Sequence, residues 1–302
     1  MGGRLPIDQR SGDHRHHHNH SHQHTTKFQQ HFVAATGEFV GTFMFLFMGY
    51  AGHLMILDQV ATDKNSVANT SLGFLQTMAV GFTYGFSLLV SVWAFYRISG
   101  GLFNPAVCLP PSSFPISPPN AIRRIFTDSQ RIMQVTLGLC LSNQLPWIRA
   151  AFLMPTQLVA CICAGGVVRA MFPGNLAEVN TILAPGVNIA QGVFAEMFFT
   201  AYLVFVVLML AAEKSRDTFI APVGIGLALL VAEIPGVYYT GGSLNPARSF
   251  GCAVASASFP SYHWIYWVGP VLGAIVSAAY FRFVKAWHYE EANPGQDAEC
   301  EV

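Results

Sequence analysis

The sequence predicts an all-α membrane protein, with six transmembrane helices and two re-entrant half-helices in an inverted three-plus-three repeat. Three observations carry that prediction. Only 11% of the 302 residues are charged while 52% are apolar, against roughly a quarter charged in a soluble domain. Six apolar stretches are each long enough to cross about 30 Å of hydrocarbon. Two motifs recur in the same order in each half of the chain. Mean hydropathy is +0.41, and 16 basic residues cancel 16 acidic ones. This composition excludes a soluble enzyme, a disordered chain, and a nucleic-acid binder that would need a basic face.

Residues 1–31 read as a disordered cytoplasmic tail. Eight of the eleven histidines lie there, His14, His16, His17, His18, His20, His22, His24 and His31, a tract whose functional readings are metal binding and pH sensing. No apolar h-region marks a cleaved signal peptide. The spans are expected at 32–54, 72–96, 148–171, 192–212, 219–239 and 264–287. Lys27, Arg97, Arg149, Lys214, Arg216, Arg282 and Lys285 flank alternate loops and both tails, whereas loops 58–69 and 172–189 hold one lysine between them. The excess of Lys and Arg places both termini in the cytoplasm, with 288–302 as the C-terminal tail. The six cysteines lack framework spacing and read as small hydrophobes.

The repeat is explicit. Gly37-Glu38-Phe39-Val40-Gly41-Thr42 in the first span matches Ala195-Glu196-Met197-Phe198-Phe199-Thr200 in the fourth. Ser99-Gly100-Gly101-Leu102-Phe103-Asn104-Pro105-Ala106 matches Thr240-Gly241-Gly242-Ser243-Leu244-Asn245-Pro246-Ala247. Three spans per half is odd, so the copies insert with opposite topology. Asn followed by Pro is a good helix start, and 247–258 is too short to span. Two such half-helices entering from opposite faces bring two positive helix ends to the membrane centre, where Asn104 and Asn245 offer N–H groups to a polar guest. Glu38 and Glu196 are costly charges unless they face inward. Their match between the halves points to a structural role, accepting hydrogen bonds from the irregular backbone before each half-helix. Pairs of small residues, Gly37/Gly41, Gly81/Gly85 and Gly269/Gly273, are expected to let spans approach closely.

Two Asn-Pro-Ala boxes in a six-span inverted repeat resemble the aquaporin, or major intrinsic protein, family, in its fungal water-channel branch. The resemblance runs from residue 32 to about residue 287. It implies a homotetramer in a lipid bilayer, most naturally the plasma membrane, that passes water in single file with no cofactor, metal or catalytic residue. It further implies a narrow filter, placed by counting from the boxes. Arg248 matches the filter arginine, whose fixed charge excludes cations, and Tyr84 falls at the usual aromatic position. Gly242 falls where some relatives carry a mercury-sensitive cysteine. Glu233 departs from the pattern, because water-selective members usually have His there and glycerol-conducting ones a small residue. Two readings stand for it: an ion pair with Arg248 in the pore, or a side chain pointing into the protein. Ser249, Ala253 and Tyr266-Trp267 lean toward water rather than glycerol. The rival classes are a glycerol or small neutral solute facilitator, a proton-coupled transporter, and a non-conducting relative.

One stretch does not belong to the pattern. Residues 107–134 hold five prolines in ten positions (110, 111, 115, 118, 119), where a half-helix must begin. Without these 28 residues the box reads Asn-Pro-Ala-Val-Thr-Leu-Gly, as in the family. Val107-Cys108 can be encoded by GTATGT, a splice donor. Gln134 can be CAG, an acceptor, and Thr127-Asp128-Ser129 can contain a branch point. A translated intron and a genuine extended loop are the two readings, and the insert is expected to destroy or displace the first half-helix and leave the channel poorly conducting.

Overall fold

The computed structural model of the chain describes residues 26–62, 69–105, 136–142, 145, 147–213 and 216–292. The histidine tract through His24, Ala106, the insert 107–134 and the last ten residues lie outside them. Six described helices are long and apolar enough to cross a membrane. In chain order the helices are α1 (Lys27–Thr62), α2 (Asn69–Phe95), a short α3 (Thr136–Leu141) and α4 (Trp147–Met171). After a 3-10 turn at Leu176–Val179 come α5 (Ile189–Val207), α6 (Ala221–Tyr239), the half-helix α7 (Pro246–Ser256), α8 (Ile265–Ala286) and a last turn α9 (Tyr289–Ala292). The first helix begins at Lys27, so residues 27–31, grouped with the tail from sequence, are helical, and His31 stacks on Phe152 with ring centroids 5.7 Å apart.

The surface is inverted relative to a soluble protein. Phe74, Val90, Trp93, Phe198 and Tyr280 are exposed, while Glu38, Glu196, Glu233, Gln157 and Arg248 are buried. Apolar side chains on the outside match a hydrocarbon solvent, and the polar ones must then find partners within.

The halves pack as two interlocked copies. α5 lies against α8 and α1 against α4, and α2 meets α6 across the repeat boundary. Each half-helix packs on the third span of the other half: α7 on α4, and α3 on α8. The α2–α6 contact is backbone-close and reciprocal. A Cβ at Gly85 would sit 3.1 Å from Gly226 O, and one at Gly226 would sit 2.9 Å from Gly85 O. Gly269 and Gly273 bring α8 onto α5 in the same way, a Cβ at Gly269 lying 2.6 Å from Glu196 Cβ. Gly37 and Gly41 do something other than expected. They face Ile98, Ser99 and the Phe103 ring, with Phe95 at the end of α2 also against Gly41, so they chiefly admit the returning loop between α2 and the first box.

Candidate functional site

The two loops that lead to the boxes fold alike because their sequences repeat. Gly100 and Gly101 have φ of 108° and 66°, and Gly241 and Gly242 have 80° and 62°. Each turn then ends on a side chain held in the left-handed region, Phe103 at 51° and Leu244 at 48°, a strain of about 1–2 kcal/mol per residue. Buried glutamates hold these turns. Glu38 accepts from Ser99 Oγ (2.6 Å), Leu102 N (2.8 Å), Phe103 N (2.9 Å) and Gln157 Nε2 (2.7 Å). Glu196 accepts from Thr240 Oγ1 (2.6 Å), Ser243 N (3.1 Å) and Leu244 N (2.8 Å). Charge-assisted bonds of this kind satisfy backbone that lipid cannot.

The strained residues also turn their carbonyls toward the opposite loop. Asn104 Nδ2 donates to Leu244 O at 2.8 Å, and Asn245 Nδ2 donates to Phe103 O at 2.7 Å. This crossed pair joins the halves at the box asparagines. Asn245 also caps α7, its Oδ1 accepting from Ala247 N at 2.9 Å, with Pro246 as the first helical residue. Pro105 is buried.

Arg248, one residue past the second box, is 1% exposed. Its Nη2 donates to the Tyr84 hydroxyl (3.2 Å), its Nη1 to Val179 O (3.3 Å), and its guanidinium lies 4.9 Å from the centre of the Tyr84 ring. The Tyr50 hydroxyl donates to Arg248 O at 2.6 Å, and His53 meets Tyr84 edge-on at 5.9 Å. Glu233 is 1% exposed and lines one cavity with Tyr84, Arg248, Asn104 and Asn245. The cavity offers water centres about 30 Å³, room for about two molecules, and most of its remaining wall is Leu, Val, Ile and Phe. Among the described residues no ion pair joins Glu233 to Arg248, and Glu233 Oε2 has no protein partner. Gly242 lies against that oxygen so closely that any Cβ there would overlap it. Glu233 therefore borders the cavity, as in the first of the two readings, but without the ion pair to Arg248 that this reading supposed.

Sequence reasoning did not single out Gln157, Tyr50, His53 or Val179. None of the four has a repeat partner or a motif, and Val179 contributes only a carbonyl oxygen.

A helical membrane protein whose halves cross through the amides of two box asparagines, one of them heading a half-helix, has the architecture of a pore. Comparison with known proteins gives its family. The model of the major intrinsic protein family matches residues 23–115 and 134–281, and the chain belongs to that family, whose aquaporins are membrane channels. It is 59% identical over 279 residues to probable aquaporin-3 of Gibberella zeae, covering 92% of this chain and 86% of that protein. It is 46% identical to aquaporin-7 of Botryotinia fuckeliana over 90% of this chain and 54% of the relative, and 45% identical to aquaporin-5 of the same fungus over 91% and 46%. It thus spans about half the length of those two relatives. Among solved structures, the aquaglyceroporin from Plasmodium falciparum superposes with a TM-score of 0.65 at 18% identity, over 86% of this chain and 99% of that one, a likeness of fold alone.

Proposed function

We propose that this chain is a passive water channel, with single-file permeation past Tyr84, Glu233, Gly242 and Arg248 and then past Asn104 and Asn245. The observation that carries the reading is a shared cavity onto which five of these six residues open, with Gly242 pressed against the wall at Glu233. Arg248 supplies fixed positive charge there, and the α7 N-terminus adds a partial one. Together they oppose cations while leaving N–H donors for water. Ser249, Ala253 and Tyr266-Trp267 support water over glycerol. The assembly is a homotetramer with both termini in the cytoplasm, in the plasma membrane.

The insert is part of the same proposal. Residues 107–134 are a translated intron, and the working chain joins Ala106 to Val135. Two observations support this. The family model matches up to residue 115 and resumes at 134, leaving 116–133 of the insert unmatched, and α3, which begins at Thr136 just past the insert, packs on α8 as α7 packs on α4. Sequencing of spliced transcripts checks it directly, since transcripts that all carry these 28 codons would refute it.

Stopped-flow osmotic shrinkage of proteoliposomes tests the function, in an impermeant solute and in glycerol, with the full chain and with a form lacking 107–134. The shortened form is expected to shrink at least about tenfold faster than empty vesicles and to re-swell no faster in glycerol. Glycerol re-swelling well above empty vesicles would instead make it a solute facilitator.

A further inference from the structure

We propose that Glu233 and Arg248 form a pair bridged by the permeating molecule, and that protonating Glu233 releases its grip. The inference rests on the water-channel reading above and names the residue that sets how tightly the pore holds what it passes. Two orphaned atoms carry it. Glu233 Oε2 and Arg248 Nε are both buried, and neither has a protein partner. One is an acceptor and the other a donor, and both residues line the same cavity. The rest of the Arg248 guanidinium is pinned to Tyr84 and Val179, so it does not swing across to close the pair. A lone buried carboxylate costs several kcal/mol. A molecule with an O–H to donate and an oxygen to accept satisfies both atoms at once, and water is the smallest that does.

The first half of the repeat shows that the pair is an addition to the fold. The place matching Glu233, twelve residues before the box asparagine, is held by Val92. The contact geometry is conserved there: a Cβ at Gly101 would lie 3.2 Å from Val92 Cα, as a Cβ at Gly242 would run into Glu233. An apolar side chain therefore suffices for the architecture, and the carboxylate serves the cavity.

The sign follows from the charges around Glu233. Arg248 comes from α7 and Tyr84 from α2, with His53 of α1 behind Tyr84, and Glu196 of α5 is the other charge acting on Glu233. Glu196 is engaged by its three donors. When Glu233 is ionised, it and Arg248 hold each passing water from both sides. Once it is protonated, the acceptor loses its charge and the grip weakens, so water permeability rises as pH falls.

The test is water permeability of proteoliposomes between about pH 9 and pH 5, for the full chain and for the form lacking 107–134. The conducting wild-type form is expected to speed up about threefold to tenfold on acidification, the upper figure corresponding to about 1.4 kcal/mol. Glu233→Gln should be flat at the acid level, and Glu233→Asp should retain the step because it still ionises. His53→Asn, which removes the histidine behind Tyr84, should also retain it. A flat wild-type profile, a step that survives in Glu233→Gln, or a step lost in His53→Asn would overturn the pair while leaving the channel reading intact. Absence of permeability in every form at every pH would overturn both.

Discussion

Glu196 and Glu233 sit on adjacent helices, are equally buried, and are used in opposite ways. Glu196 has both oxygens covered by Thr240, Ser243 and Leu244, and its copy Glu38 does the same for the other loop with Gln157 added. Glu233 has an oxygen without a protein partner and a cavity in front of it. A carboxylate survives at membrane depth either by being saturated with donors or by reaching a space that water can fill. The first solution appears in both halves and belongs to the fold. The second appears in one half, opposite a valine in the other, and borders the cavity.

The sharpest way to break this contrast is to remove an anchor. Glu196→Ala leaves the Ser243 and Leu244 backbone N–H groups without an acceptor, at about 1–3 kcal/mol each, while the Thr240 hydroxyl keeps only Gly236 O. The expected result is loss of monodisperse protein from detergent, with Glu38→Ala as severe, whereas Glu233→Ala should fold with normal yield. Gly242→Ala comes next. It forces a Cβ onto the Glu233 carboxylate at a φ of 62°, and water flux should fall about tenfold, an effect on the order of 1.4 kcal/mol. Adding Glu233→Ala should recover most of that flux. Gly101→Ala, facing Val92 at 3.2–3.4 Å, should cost much less in the same stopped-flow assay.

Smaller effects sharpen the picture. Tyr84→Phe removes the hydroxyl that receives Arg248 Nη2 but keeps the ring beneath the guanidinium. A loss of about 1 kcal/mol in chemical unfolding is expected, with flux within about twofold of wild type. The smallest concerns His263, in the loop before α8. Burial holds its imidazole below the ordinary histidine value, and neither ring nitrogen has a protein partner. The unfolded chain therefore binds a proton below about pH 6.5 that the folded chain does not, and stability falls as pH drops through that region. His263→Phe should flatten the decline in melting temperature between about pH 7.5 and pH 5.5, whereas an unchanged slope would place the sensitivity elsewhere.

Much of this was legible in the sequence because lipid imposes few solutions. The six spans follow from apolar length, and the structure moves their edges by a few residues at most, except at α1, which extends to Lys27–Thr62. Glu38 and Glu196 stood out because a charge in an apolar span is rare and these two repeat. The crossed amides of Asn104 and Asn245 depend on carbonyls turned by Phe103 and Leu244, and side-chain identity does not announce a left-handed φ in a phenylalanine or a leucine. Gln157 and Tyr50 bond across more than a hundred residues, with no spacing rule to link donor and acceptor. Gly37 and Gly41 have the spacing of a helix contact yet receive a loop, because spacing reports small volume and not what fills it. The orientation of Glu233 depended on Gly242 leaving space for it, a relation between two elements that neither shows alone.

The most direct test of the central claim, that the cavity at Glu233 and Arg248 is the water path, is cysteine labelling at Leu229, a cavity-lining position on α6. Leu229→Cys, in the form that conducts, would be treated with a small methanethiosulfonate reagent before stopped-flow shrinkage, with untreated variant and treated wild type as controls. Flux falling to that of empty vesicles, and returning after reduction, is the predicted result. Stoichiometric labelling with unchanged flux would place the path elsewhere and contradict the account.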